Sequence, residues 1–157
     1  MRESEENDLK WMKAALSLAE KAAQLGEIPV GAIVVCNGAV VGEAYNLKEA
    51  QANPLAHAEL IAIKQASERL KAWRLSGCTL YVTLEPCGMC AGALVQSRIE
   101  RVVYGTRDPK TGAVHSLYQM LSDQRLNHQV EVTDGVLAEE SQSLLKKFFA
   151  ELRKKKA

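Results

Sequence analysis

The sequence predicts an α/β protein: a three-layer α/β/α sandwich on a mixed, mostly five-stranded central sheet. Three observations carry this expectation. Apolar, β-branched runs of strand length alternate with segments whose apolar residues recur at helical spacing. Strands alternating with helices place helices on both faces of one sheet. The first two strands flank Asn37-Gly38, the dipeptide that most favours a two-residue hairpin turn.

The elements follow in order. "LKWMKAALSLAEKAAQLGE" carries apolar residues at Leu9, Met12, Leu16, Ala19 and Ala23, a helical spacing that Gly26 stops. "IPVGAIVVCNGAVVGEAYN" holds the two hairpin strands. "AHAELIAIKQASERL" is helical by composition, and "CTLYVTLEPC" is a buried strand. "AGALVQSRI" reads as a short helix and "RVVYG" as a strand. "NHQVEVTDGV" contains a last short strand, and "LAEESQSLLKKFFAELRKKK" is a closing amphipathic helix. With no internal repeat or low-complexity segment, residues 1–157 read as a single domain, with 153–157 expected to fray.

Bulk properties narrow the function. The 157 residues are 47% hydrophobic and 25% charged, an ordinary soluble balance for one domain. A formal net charge of +1 excludes a chain-wide basic field for gripping nucleic acid, so any such partner is held by local patches. No apolar run reaches membrane-spanning length, and the acidic, polar "MRESEENDLK" is unlike a secretory signal. The expectation is a cytoplasmic protein with no membrane partner. Four cysteines are few for a secreted disulfide scaffold; in a reducing compartment a close pair is a metal site or a redox couple.

Cys87 and Cys90, in "EPCGMCAG", form a C-x-x-C. Alone it reads equally as a thioredoxin-like pair, half of a zinc ribbon, or two buried thiols. The redox reading expects the pair near the start of the chain, and the ribbon needs a second C-x-x-C. Cys36 and Cys78 do not supply one; they read as buried strand thiols with no assigned task. "NPLAHAEL" completes a different set, with His57 thirty residues before Cys87 and Glu59 two beyond the histidine. The resulting H-x-E…P-C-x-x-C is similar to the pattern of the zinc nucleobase deaminases.

The physics of the residues agrees. Positions i and i+3 in a helix's first turn share a face, and the free N–H groups and dipole there favour thiolates. Pro86 suits a helix start, where its missing N–H is not needed. Three protein ligands would leave a fourth tetrahedral position for water, the mark of a catalytic zinc. Two thiolates and a neutral imidazole cancel the charge of the ion and weaken it as a Lewis acid, so a base is needed nearby. Glu59 is the candidate. Residues at i and i+2 lie on opposite faces of a helix, so His57 and Glu59 can share a site only at a helix end. The helix is therefore expected to begin at about His57, with 53–56 as loop.

Longer blocks extend the resemblance. "GEIPVGAIVV", "AYN", "AHAE", "LYVTLEPCGMCAGALVQSRIERVVYG", "DPKTG" and "LNH" resemble successive blocks of the TadA-type tRNA adenosine deaminases, from about Trp11 to Leu152. That likeness implies a cytidine deaminase-like fold, one Zn2+ per subunit on His57, Cys87 and Cys90, and Glu59 as proton shuttle. It implies hydrolysis of a wobble adenosine to inosine in a tRNA anticodon stem-loop, by a homodimer. It places Asn46 on the flipped base, Val30 and the Ala58 backbone around the pocket, and backbone N–H groups at Cys87 near the developing oxyanion. Asp108 and Lys110 would touch neighbouring nucleotides, although D-P-K-T-G is also good turn chemistry.

Six of the last twelve residues are basic, and Phe148 and Phe149 among them suit either base stacking or core packing. Phe149 and Arg153 are the candidate RNA contacts there, with Arg98, Arg101 and Arg107 as a second basic group. "NPLAH" replaces the commoner "DPTAH", and Thr106 takes a position that is often alanine; both bear on RNA preference and not on the reaction. A deaminase of free guanine or cytidine, or a non-catalytic RNA-binding subunit on the same fold, are the alternatives.

Overall fold

A computed structural model describes residues 3–156. Its elements run α1 (Glu3–Gln24), β1 (Gly31–Cys36), β2 (Ala39–Tyr45), α2 (Ala58–Leu70), β3 (Cys78–Leu84), α3 (Gly88–Gln96), β4 (Arg101–Thr106), β5 (Glu131–Thr133) and α4 (Ala138–Lys156), with a 3-10 turn at Met120–Ser122. The five strands form one mixed sheet in the order β2-β1-β3-β4-β5. β1 is antiparallel to both neighbours, while β3, β4 and β5 are parallel. Asn37 and Gly38 both adopt positive φ, as the hairpin turn requires.

Alternate residues of each strand feed two cores. Val34, Leu80, Val82, Val102 and Tyr104 pack with Ala62, Ala66, Ala91 and Leu94 of α2 and α3. Ile33, Val35, Tyr81 and Val103 pack with Met12 and Ala15 of α1 and, at the edge, with Val136 and Leu137, which lead into α4. That is the expected sandwich. No described helix is long and apolar enough to cross a membrane.

Two helices differ from their sequence outline. α1 begins six residues before Leu9, with Glu3, Glu5 and Glu6 in its first turn where the helix dipole favours them. Its buried face is Asp8, Met12, Ala15, Ala19 and Ala22; of the expected stripe Met12 and Ala19 are buried, while Leu9, Leu16 and Ala23 lie at its edge. The cause is close approach to β1: a Cβ on Gly31 would lie 2.0 Å from the Ala15 carbonyl oxygen, so alanines must line the contact. α4 does not fray at 153. It stays helical to Lys156, and position 157 lies outside the described residues.

Buried polar groups lock the layers. The Asp8 carboxylate accepts a bidentate pair from Arg101 at 2.9 and 2.8 Å and a third bond from the Tyr81 hydroxyl at 3.1 Å, tying α1 to β3 and β4. Glu85, 2% exposed, directly follows β3 and gathers the loop after β4. Its carboxylate accepts bonds from the backbone N–H groups of Asp108 (2.9 Å), Val114 (3.0 Å), His115 (2.8 Å) and Ser116 (2.9 Å), and from the Ser116 hydroxyl. Gly112 is obligatory beneath it, since a Cβ there would meet the carboxylate at 2.4 Å. Burial pushes this carboxyl up, but the bonds from Ser116, His115 and Asp108 outweigh it and hold it at about 2.

The pKa is depressed, so the stability it confers is present above the ordinary value of 4.5 and is lost as pH falls toward 2. Wild-type protein is expected to lose about 3 kcal/mol across that window through this group. Glu85→Gln, which turns an amide donor onto a ring of donors, should lose about 2–4 kcal/mol at neutral pH and flatten that part of the profile. Urea unfolding of both proteins from pH 7 to 3 checks it; an unchanged midpoint for the variant would remove the role given to Glu85.

Candidate metal centre and active site

β2 and β3 are each antiparallel to β1, so they point the same way, and each feeds a helix from the same end of the sheet. The N-termini of α2 and α3 therefore meet. His57 is the N-cap of α2, with φ −80 and ψ 147, and Cys87 is the N-cap of α3, with φ −76 and ψ 177. The helix start expected at about His57 and the loop over 53–56 are what the structure has. Pro86 sits one residue before the cap, where its carbonyl accepts the Ala113 N–H at 2.9 Å.

His57 Nδ1 lies 3.6 Å from Cys87 Sγ and 3.5 Å from Cys90 Sγ. The three ligand atoms all fall within 4.8 Å of one another. Tetrahedral zinc, at about 2.3 Å to sulfur and 2.0–2.1 Å to nitrogen, separates the two donors by about 3.5 Å. The distances, and the soft S/N donor set, fit zinc. His57 and Glu59 escape the i, i+2 conflict because His57 is extended and only Glu59 is helical.

Cys90 donates to Cys87 and holds that thiol down at about 4, while the same bond and burial push the Cys90 thiol up. His57 is raised, chiefly by its bond to Cys87. Glu59 is 4% exposed, and burial pushes its carboxyl up to about 7. A carboxyl there can take and return a proton near neutral pH.

Of the expected substrate residues, three are joined at the site. Asn46 donates its N–H to the Val30 carbonyl at 3.2 Å, and its Oδ1 accepts the Ala58 N–H at 2.8 Å. Asn46 thus caps α2 in place of His57, whose side chain makes no cap bond. Asp108 is tied into its own turn, Oδ1 accepting the N–H groups of Lys110 and Thr111 and Oδ2 the Thr111 hydroxyl. Lys110 is exposed beside it. Phe149, 38% exposed, stacks edge-on against Phe148, with Arg153 one turn further along α4. They stand on the layer opposite α2 and α3.

The second basic group does not exist as a patch. Arg101 opens β4 and is committed to Asp8, whereas Arg107 lies past its other end, paired with Asp134 at 3.2 Å. Arg98 donates to the Val95 carbonyl at the end of α3. Two residues escaped sequence reading. Glu85 was visible only as a lone acid in "VTLEPC". Glu27, 1% exposed, accepts the N–H groups of Glu49 (3.0 Å) and Ala50 (2.7 Å) and so shapes the loop leading to His57. Neither of two surface concavities, 470 Å3 lined by residues between Leu117 and Arg125 and 290 Å3 lined by residues between Gln51 and Lys64, includes a ligand or Glu59.

Comparison with known proteins places this geometry. The MafB19-like deaminase family model matches residues 6–153. A tRNA-specific adenosine deaminase of Bacillus subtilis is 52% identical over 95% of this chain and 92% of its own. One from Haemophilus influenzae is 50% identical over 96% and 88%. A structure from work on A-to-I editing by tRNA:A34 deaminases at the wobble position superposes with TM-score 0.82 at 41% identity, covering 85% of this chain and 97% of that one. A guanine deaminase from Nitrosomonas europaea, 23% identical with TM-score 0.78 over 88% and 82%, shares the cytidine deaminase-like fold alone. With relatives this similar along nearly their whole length and a zinc-type His/Cys/Cys group set beside a buried carboxylate, the chain belongs to the family of tRNA-specific adenosine deaminases.

Proposed function

We propose that the chain hydrolyses adenosine to inosine and ammonia at the wobble position of a tRNA anticodon. The observation that carries it is the meeting of His57, Cys87 and Cys90 with buried Glu59 where two helices begin. His57, Cys87 and Cys90 would hold one zinc ion per subunit, which would supply Lewis acidity and lower the pKa of water. Glu59 takes the first proton of the attacking water and delivers it to the ring nitrogen beside the reacting carbon. It then carries the second to the departing amino group, so that ammonia leaves. The dipoles of α2 and α3 favour the negative charge that develops.

Asn46 spends its Oδ1 on Ala58, which leaves its amide N–H groups for an acceptor on the flipped base. Val30 and Ala58 wall the base on the side of the sheet. Asp108 holds the turn that offers Lys110 to the phosphates of neighbouring nucleotides. Phe149 and Arg153 supply a stacking face and a charge for RNA passing α4, among the exposed lysines at its end. In this reading the enzyme is a cytoplasmic homodimer; exposed Leu55, Leu117 and Tyr118 offer apolar surface for the second copy.

Inosine formed from an anticodon stem-loop, set against that from free adenosine, decides the substrate. The stem-loop should react and the nucleoside should not; matching rates would overturn the RNA reading in favour of a free-base or nucleoside deaminase. Glu59→Ala should cut turnover by about a thousandfold while metal content stays at one ion per chain. Retained activity would eliminate the shuttle. Cys90→Ser, or chelation of the wild type, should remove metal and activity together, with both restored to the chelated protein by added zinc.

A further inference from the structure

The two remaining cysteines are not scattered. Cys36 ends β1 and Cys78 opens β3, and they are direct partners in the antiparallel register. The Cys78 N–H donates to the Leu75 carbonyl and its carbonyl accepts the Glu100 N–H, both at 3.1 Å. Both backbone groups thus point away from β1, which makes this a non-hydrogen-bonded pair. Side chains are closest in such pairs, with Cα atoms about 4.5 Å apart, inside the 4.4–6.8 Å that a disulfide spans. The two thiols belong to one core cluster and both are free; Cys78 Sγ donates weakly to the Ser76 carbonyl at 3.9 Å.

We infer that Cys36 and Cys78 form a peroxide-oxidisable dithiol that closes into a cross-strand disulfide, a site apart from the metal centre. Cys36 is half-buried and meets solvent, whereas Cys78 is fully buried. Burial and the neighbouring Cys36 push the Cys78 thiol up to about 12, so Cys36 meets the oxidant first and the attack by Cys78 is the slower step. Cys36 attacks hydrogen peroxide, becoming a sulfenic acid and releasing one water. Cys78 attacks that sulfur, the S–O bond breaks, and hydroxide leaves with the Cys78 proton as a second water. Two thiols are oxidised by two electrons and one peroxide is reduced.

The position gives the link its consequence. β3 runs from Cys78 toward Cys87, so a strand of seven residues, about 20 Å or more, separates the dithiol from the metal ligands. The loop it closes, 36–78, contains Asn46, His57 and Glu59. Cross-linking removes unfolded-state freedom from that half of the site without touching its geometry. The inference stands whatever base or nucleoside the enzyme accepts.

The test uses reduced, metal-loaded protein treated with hydrogen peroxide, then intact mass and non-reducing peptide mapping. A loss of two hydrogens, a Cys36–Cys78 linked peptide and retained metal are expected. The unfolding midpoint should rise by on the order of 10 °C and fall back with a thiol reductant. Cys36→Ser, a mild change at the half-buried position, should abolish both the mass loss and the rise. Oxygen addition at Cys36 without a link, a link involving Cys87 or Cys90, or a dimer joined through Cys36 would each overturn the inference. So would a mass loss that persists in Cys36→Ser.

Discussion

The structure depends on two strands that run in the same direction. Because β1 reverses against both β2 and β3, the chain leaves each of them at one end of the sheet and starts a helix there. Two helix N-termini then face a common point, each with the positive end of a dipole, although Asn46 takes up the first N–H of α2. That field favours the thiolate forms of Cys87 and Cys90, and His57 approaches from the facing helix start. An imidazole and two sulfurs from distant stretches can share one ion only because the sheet aligns their helices.

Loops at that end are held by buried carboxylates as well as by apolar packing. Glu27 ties down the segment between β2 and α2, and Glu85 ties down the segment after β4. Glu85 and Glu59 are the same residue type, nearly equally buried, yet one is held at about 2 and the other is pushed up to about 7. The difference is the number of donors. Four backbone amides and a hydroxyl surround Glu85, whereas burial dominates at Glu59. The first carboxylate is therefore a fixed structural anion, and the second is free to exchange protons.

Basic side chains divide in the same way. Arg101 looks like any other arginine in "RIERVVYGTRD", but its partner Asp8 lies on α1, at the far end of the sequence. Counting charge along the chain groups it with Arg98 and Arg107, and the strand between them pulls that group apart. The lysines at the end of α4 do stay exposed together, because consecutive helical turns keep them so. Local arithmetic predicts a patch only where the element itself supplies the proximity.

The sequence alone determined the element types, the hairpin at Asn37-Gly38, the helix start at His57, and the candidate group His57, Cys87, Cys90 and Glu59. Each of these is written in a short window: a period of apolar residues, a turn dipeptide, two motifs. Tertiary structure decided the rest. It turned the buried face of α1 toward its alanines, made Glu85 a hub, took Arg101 out of solvent, and set Cys36 opposite Cys78 across forty-two positions of chain. The reason is that strand register and layer contact are long-range pairings. They arise from burying two faces of one sheet at once, and no local pattern encodes which distant residue will lie across the way.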